Sequence, residues 1–354
     1  MENRLLAFMG KIGAGPRGAK DLAYEEACQA MQSLLDGAYH PVTFGSFLLA
    51  ERWKPESVEE LAAFSDAMME RLVRPTCPVF IPGLVNASGA YDGKEHTLNL
   101  GVPAALVAAA AGTPVLLHGS QDIPAKRGMT PSHVLSRLGI DPLRTPDQAL
   151  EDLQACRIAY LHQSIVNPAM HALLEHRQHV GKRTFLNTIE PLANPLGAET
   201  HIGGFFHRPY AETICQTIAR SRLGFRRALL VMGLEGSDEI RPDRSFCAEW
   251  RDGEIKTYYL EPARFGLRVE TADVEAPAAD RESLCALSAE RILAFLEDRA
   301  PSSYRDLVLL NAAVRLYGGG KAVSMEVGLL QAKQAWESGA VRALFEAWQA
   351  RCRL

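Results

Sequence analysis

An open α/β sheet behind a small helical domain is the fold class that this sequence predicts. Three observations carry it. The stretch 80–128, FIPGLVNASGAYDGKEHTLNLGVPAALVAAAAGTPVLLHGSQDIPAKRG, runs through a small-residue loop, a wholly apolar helix, a short strand and a polar loop. Helical periodicity fills residues 1–75 and is broken at Pro75 and Pro78. From Val79 onward, short β-branched runs alternate with helical segments, the pattern of a mostly parallel central sheet flanked by helices. Ligands of such sheets sit at the carboxyl ends of the strands. The expected division is a helical domain, 1–76, joined by helices near 165–182, and an α/β domain made from 77–164 and 183–354.

In chain order, Asp21–Leu35 places Leu22, Ala23, Ala27, Ala30, Met31, Leu34 and Leu35 on one side of a helix that Gly37 stops. Pro41–Glu51 is a second helix. Ser57-Val58-Glu59-Glu60 is a capping box that opens a third, to about Val73. Asn86–Gly93 reads as the loop and Asn99 opens the apolar helix, Leu98–Ala111. Thr113–Leu117 is a buried parallel strand ending in His118-Gly119-Ser120. Ser132–Leu138 and Thr145–Leu153 are short helices, the latter capped by Thr145 with Pro146 in its first turn. Ile158–Leu161 is a strand and Asn167–His176 a helix. Ile202–Phe206 and Arg227–Met232 are strands on either side of a helix, Tyr210–Ser221. Asp252-Gly253 between Phe246–Trp250 and Lys256–Leu260 signals a hairpin. Thr271–Asp280 reads as a surface loop, and Leu284–Glu297, Tyr304–Leu316 and Met325–Ser338 as closing helices.

The 354 residues are 47% hydrophobic and 23% charged, an ordinary globular composition with enough chain for two domains. Net charge is −4, so no overall basic excess points to nucleic acid. Seven scattered cysteines, odd in number and never as CxxC, fit free thiols in a reducing cytoplasm. No signal-peptide pattern opens the chain, and the alanine-rich run 103–111 is too short to span a bilayer, so no membrane partner is expected.

Several residue groups have the makings of a site. Ser88-Gly89, Asp92-Gly93 and Asn99 supply small residues and a helix N-terminus suited to phosphate. Asp238 and Glu239 follow the Arg227–Met232 strand directly, where hard cations bind through oxygen. His176 and His179 lie one helical turn apart but have no obvious third ligand. Arg220, Arg222, Arg226 and Arg227 cluster near a helix end and form a candidate phosphate-contacting patch.

These segments resemble the anthranilate phosphoribosyltransferase family, which shares its fold with the pyrimidine nucleoside phosphorylases. Ala87-Ser88-Gly89-Ala90-Tyr91-Asp92 stands where that family has Gly-Thr-Gly-Gly-Asp. Asn99-Leu100-Gly101-Val102 stands for Asn-Ile-Ser-Thr, and Leu117-His118-Gly119-Ser120-Gln121 for Lys-His-Gly-Asn-Arg. The likeness runs from about residue 20 to the end. It implies transfer of phosphoribosyl from phosphoribosyl pyrophosphate (PRPP) to an amine, with magnesium offsetting the pyrophosphate charge. Carried over residue by residue, it implies PRPP binding by Ser88, Gly89, Asp92, Asn99, His118, Gly119 and Lys126, and magnesium binding by Asp238 and Glu239. It assigns the acceptor to Asn167 (a histidine in the family) and Arg177, whose guanidinium fork suits a carboxylate. It also implies a homodimer through the N-terminal helices.

The departures from the pattern matter as much. Hydroxyls are lost at Gly101-Val102 and a lysine at Leu117. Glu190, in Glu190-Pro191-Leu192-Ala193-Asn194-Pro195, replaces a glycine and adds a negative charge to the acceptor pocket. Anthranilate is itself an anion, so repulsion should weaken it, and the expected acceptor is a small aromatic or amine, anthranilate-like or altered. The alternative is a catalytically inactive family member that binds nucleic acid. Nucleoside phosphorolysis ranks last, because the lysine and serines it needs around His118 are absent.

Overall fold

The computed structural model describes residues 3–15, 17–276 and 280–353. Its centre is a seven-stranded sheet. The strands are β1 (Val85–Ala87), β2 (Val115–Gly119), β3 (Ile158–His162), β4 (Thr200–Gly204), β5 (Arg227–Met232), β6 (Ser245–Arg251) and β7 (Glu254–Leu260). Their order is β3-β2-β1-β4-β5-β6-β7. β1 to β5 are parallel, and β6 and β7 complete the sheet as an antiparallel hairpin. The chain leaves β1 toward β2 and β3, then returns to lay β4 on the other side of β1. That reversal is a topological switch point, and it opens a crevice beyond the carboxyl ends of β1 and β4.

Each face of the sheet carries its own core. On one side the Gly101–Ala110 helix is buried on every side from Gly101 to Ala109, which is why its sequence shows no polar stripe. It packs with Ser302–Gly318, Met325–Glu337 and Ala340–Arg351. On the other side Tyr210–Arg220 and Pro146–Cys156 cover Leu116, Ala159, Ala228 and Leu230. A third apolar cluster joins the first four helices, 6–12, 24–35, 41–53 and 58–69, to Met170, Leu173, Phe185, Leu186 and Ile189. A helical bundle thus precedes a larger α/β domain.

The local signals act as expected. Ser57 Oγ accepts from Glu60 N at 3.2 Å while Glu60 Oε2 accepts from Ser57 N at 2.8 Å. Thr145 and Gln148 repeat that exchange. Element bounds shift by a few residues, and the expected 167–176 helix is two short ones, Pro168–Ala172 and Leu174–Val180. The 271–280 segment is not simply a surface loop: Val274 is fully buried and its carbonyl accepts from Leu98 N at 2.9 Å. Residues 277–279 lie outside the described residues. All seven cysteines are free, and among the described residues no helix is long and apolar enough to cross a membrane.

One crossing fixes the loop after β1. Lys94 bridges to Met129, with Lys94 N donating to Met129 O at 2.8 Å. A Cβ on Gly128 would sit within 2.8 Å of three backbone atoms of Lys94. We therefore expect Gly128→Ala to cost about 1–3 kcal/mol, read as a lower denaturant midpoint at unchanged slope. An unchanged midpoint would show that the two loops do not cross this closely.

Candidate functional site

The loop after β1, the loop after β2 and the loop after β5 converge at the switch point. Gly89, Asn99, Asp238 and Glu239 line one small cavity together, so the acid pair does face the small-residue loop. That cavity is about 10 Å³, room for one water and no more. The chain's own side chains fill the rest.

Each acid already has partners. Glu239 is ion-paired through Oε2 with Lys94, and its Oε1 accepts from Gly101 N at 2.8 Å. Asp238 Oδ2 takes Arg315 Nη2 at 2.6 Å. Burial pushes the Glu239 carboxyl upward, against the pull of Lys94. Gly101 belongs where it is, because a Cβ there would press on Glu239 Oε1 at 3.1 Å. The amide that heads the apolar helix, a ready anion site, is thus taken by Glu239. Asn99 serves the same helix: its Oδ1 accepts from Val102 N at 2.9 Å.

Magnesium needs near-octahedral oxygen coordination. Of the four carboxylate oxygens here only Asp238 Oδ1 lacks a partner, and an ammonium and a guanidinium stand beside the pair. The residues do not fit a divalent cation as they are arranged. No group of three or more potential metal-binding His, Cys, Asp or Glu side chains occurs among the described residues, and His176 instead packs its ring on Tyr39 and Phe44.

The acceptor residues are closed as well. Arg177 Nη1 and Nη2 hold both oxygens of Glu190, at 2.6 and 3.0 Å, with Gln163 Nε2 on Oε1 at 2.7 Å. Arg177 is 2% exposed and Glu190 1%. The added carboxylate at 190 therefore acts as a built-in anion on the arginine expected to read the acceptor. Asn167 is an N-cap, accepting from Met170 N at 3.2 Å. Neither Asn167 nor Arg177 lines an open cavity at the site.

Open space lies beside the filled cradle. A cavity of about 310 Å³ separates the helices from the carboxyl ends of β1 and β4. Gly89, Tyr91, Asp92, Arg52, Arg183 and Phe206 are among its walls. Asp92 is ion-paired with Arg183, whose guanidinium lies 3.5 Å from the Phe206 ring centre. Lys126 approaches the same ring at 4.9 Å and donates to Glu235 O at 3.1 Å. At the β2 end, His118 Nδ1 shares a 2.7 Å hydrogen bond with the Tyr91 hydroxyl, while its Nε2 and the Ser88 hydroxyl are buried without partners. Gly119 keeps room for Tyr160, whose hydroxyl would lie 3.1 Å from a Cβ there. Burial pushes His118 and His201 down to about 3, so both are neutral imidazoles.

The candidate arginine patch is dispersed. Arg222 pairs with Asp66 and Glu70, Arg226 with Glu199, and Arg227 is buried against Glu249. Only Arg220 makes no ion pair among the described residues, so the cluster is not a ready surface for phosphates. Sequence reasoning passed over Lys94, Arg315 and Glu235. A lone arginine inside the apolar run Leu307–Leu316 was the one available hint. Glu235 holds a left-handed backbone, φ 51°, at the turn after β5. Its carboxylate accepts from the amides of Glu95, His96 and Thr97 at 2.8–3.0 Å, tying the two loops together.

The chain matches the model of a glycosyl transferase family, α/β domain, over residues 88–342, and that family's helical bundle domain over 8–72. It is 32% identical to the anthranilate phosphoribosyltransferase of Brevibacillus brevis, over 92% of this chain and 93% of that one. It is 34% identical to that of Chromobacterium violaceum, over 90% of each. The crystal structure of the Thermus thermophilus anthranilate phosphoribosyltransferase superimposes with a TM-score of 0.81 at 30% identity, over 95% of this chain and 97% of that one. The Saccharomyces cerevisiae enzyme, in complex with PRPP and Mg, shares the fold at a TM-score of 0.81 and 21% identity, over 98% and 97%.

Glu235 makes acid sensitivity local. Burial alone would raise its pKa, but the amides of Glu95 and His96, the Lys126 charge and the Thr97 hydroxyl outweigh it and hold it at about 2. A depressed carboxylate contributes stability above its unfolded pKa, and that contribution is lost as pH falls toward the folded one. Between about pH 4.5 and 2, Glu235→Gln should therefore lose less stability than the native chain, followed by thermal melts across pH. Parallel curves would show that the clamp does not titrate there.

Proposed function

The chain belongs to the glycosyl transferase family of helical bundle and α/β domains, and from that premise we propose that it is a phosphoribosyltransferase whose acceptor is not anthranilate. The observation that carries this reading is the Arg177–Glu190 pair beside an open switch-point cavity. The cavity lies where open α/β sheets take ligands, and the arginine that would read an acceptor carboxylate is already matched.

In this reading an amine nitrogen of the acceptor attacks C1 of the ribose. The bond from C1 to the pyrophosphate oxygen breaks, pyrophosphate leaves with that electron pair, and the nitrogen gives up a proton. Gly89, Ala90, Tyr91 and Asp92 form part of the cavity wall on the sheet side, and His118 stands behind Tyr91, hydrogen-bonded to its hydroxyl. Arg183, on Phe206 and paired with Asp92, is a cation on the cavity wall that a donor phosphate would draw on. The neutral imidazoles of His118 and His201 leave hydrogen-bonding capacity without further charge. No step is assigned to a metal. A second copy across the helices belongs to the same proposal, because Val42 and Trp53 on the Pro41–Trp53 helix are 70% and 82% exposed. Sedimentation at micromolar concentration should give a dimer, and a monomer unaffected by Trp53→Ser would remove that part.

A second reading follows from the same closed charges. If the cradle does not open, the scaffold serves binding alone; nucleic acid is then the ligand to test, although Arg222, Arg226 and Arg227 already have acidic partners. Calorimetry separates the two. PRPP, with and without magnesium, should give heat at millimolar concentration, anthranilate should give none, and Glu190→Ala should admit anthranilate by freeing Arg177. No heat from PRPP in either buffer removes the transferase reading. Salt-dependent binding of a DNA oligonucleotide would then support the second.

A further inference from the structure

The geometry points to Lys94 and Arg315 as a built-in replacement for a divalent cation: Asp238 and Glu239 form a closed four-charge cluster that does not take metal. The inference does not depend on which acceptor is used, or on whether transfer occurs.

Three elements meet in the cluster. Lys94 comes from the loop after β1, the acids from the loop after β5, and Arg315 from the Ser302–Gly318 helix. All four side chains are buried, with exposures of 3% or less. Two unit cations carry the same charge as one divalent ion, so two carboxylates are neutralised either way. A buried carboxylate pair needs that neutralisation, because removing charge from water without a partner is costly.

Both cations are also anchored from behind. Lys94 Nζ donates to Leu98 O at 2.9 Å, and Arg315 Nη1 to Asn311 O at 3.0 Å. Asn311 Oδ1 accepts from Ile240 N at 2.9 Å, so the acid loop is fastened to the same helix that delivers the guanidinium. Their positions are therefore set by the fold. A metal entering here would have to displace two anchored cations from a cavity of about 10 Å³. The Glu239 carboxylate would also have to give up the Gly101 amide.

Thermal unfolding with 10 mM magnesium against chelator tests this. The native chain should shift by less than about 1 °C. Arg315→Ala should unfold at a lower temperature and, with its place vacated, be raised by at least about 2 °C by magnesium or manganese(II). Arg315→Ala with Asp238→Asn should lose that response. A native chain stabilised by magnesium, with the gain abolished by Asp238→Asn, would overturn the inference, as would an Arg315→Ala protein indifferent to both ions. Should Arg315→Ala fail to fold, electron paramagnetic resonance of manganese(II) titrated into the native chain decides. Free ion throughout is expected, and saturable binding at one equivalent that Glu239→Gln removes would refute the cluster's closure.

Discussion

A charge taken out of water must meet its opposite, and the loops at the carboxyl end of this sheet are arranged by that requirement. Asp238 with Arg315, Glu239 with Lys94 and Arg177 with Glu190 are all buried ion pairs. Each joins segments that no backbone ladder connects. The first two hold the turn after β5 against the loop after β1 and the Ser302–Gly318 helix. The third locks the Leu174–Val180 helix to the start of the Glu190–Leu192 turn. Glu235 adds a fourth tie, made with backbone amides. The Gly101–Ala110 helix, which has no polar side of its own, takes its place among these pairs with Glu239 at its head.

These ties hold the loops of a family fold together at its crevice. The switch point, the crevice and the convergence of three loops follow from strand order and remain. Charged and donor groups at the crevice are matched from within the chain. A carboxylate at 190 stands on the arginine, and a carboxylate at 239 stands on the helix amide. What stays open is the neighbouring cavity, lined by Tyr91, Arg183 and Phe206.

Much of this was legible in the sequence, and the division between what was and was not is physical. Local rules reached the capping box at Ser57, the cap at Thr145, the Asp252-Gly253 hairpin and the buried helix, because each depends on residues a few positions apart. The meeting of Asp238 with the Gly89 loop followed from strand grammar and the family likeness. Arg315 lies 77 residues from Asp238 and Lys94 lies 145 from Glu239, and one sequence carries no signal for such a pairing. The partners of the arginine cluster at 220–227, Asp66, Glu199 and Glu249, were hidden for the same reason, since they belong to other elements. Glu190 stood out in the sequence as an added carboxylate, but that it closes upon Arg177 required coordinates.

The last strand has a bearing on how the molecule meets copies of itself. β7 ends one side of the sheet, and along it Glu254, Lys256, Thr257 and Tyr259 face solvent. Charged side chains on a free sheet margin discourage another chain from adding a strand there. The hairpin thereby insulates the parallel core from fibril-like growth at that margin.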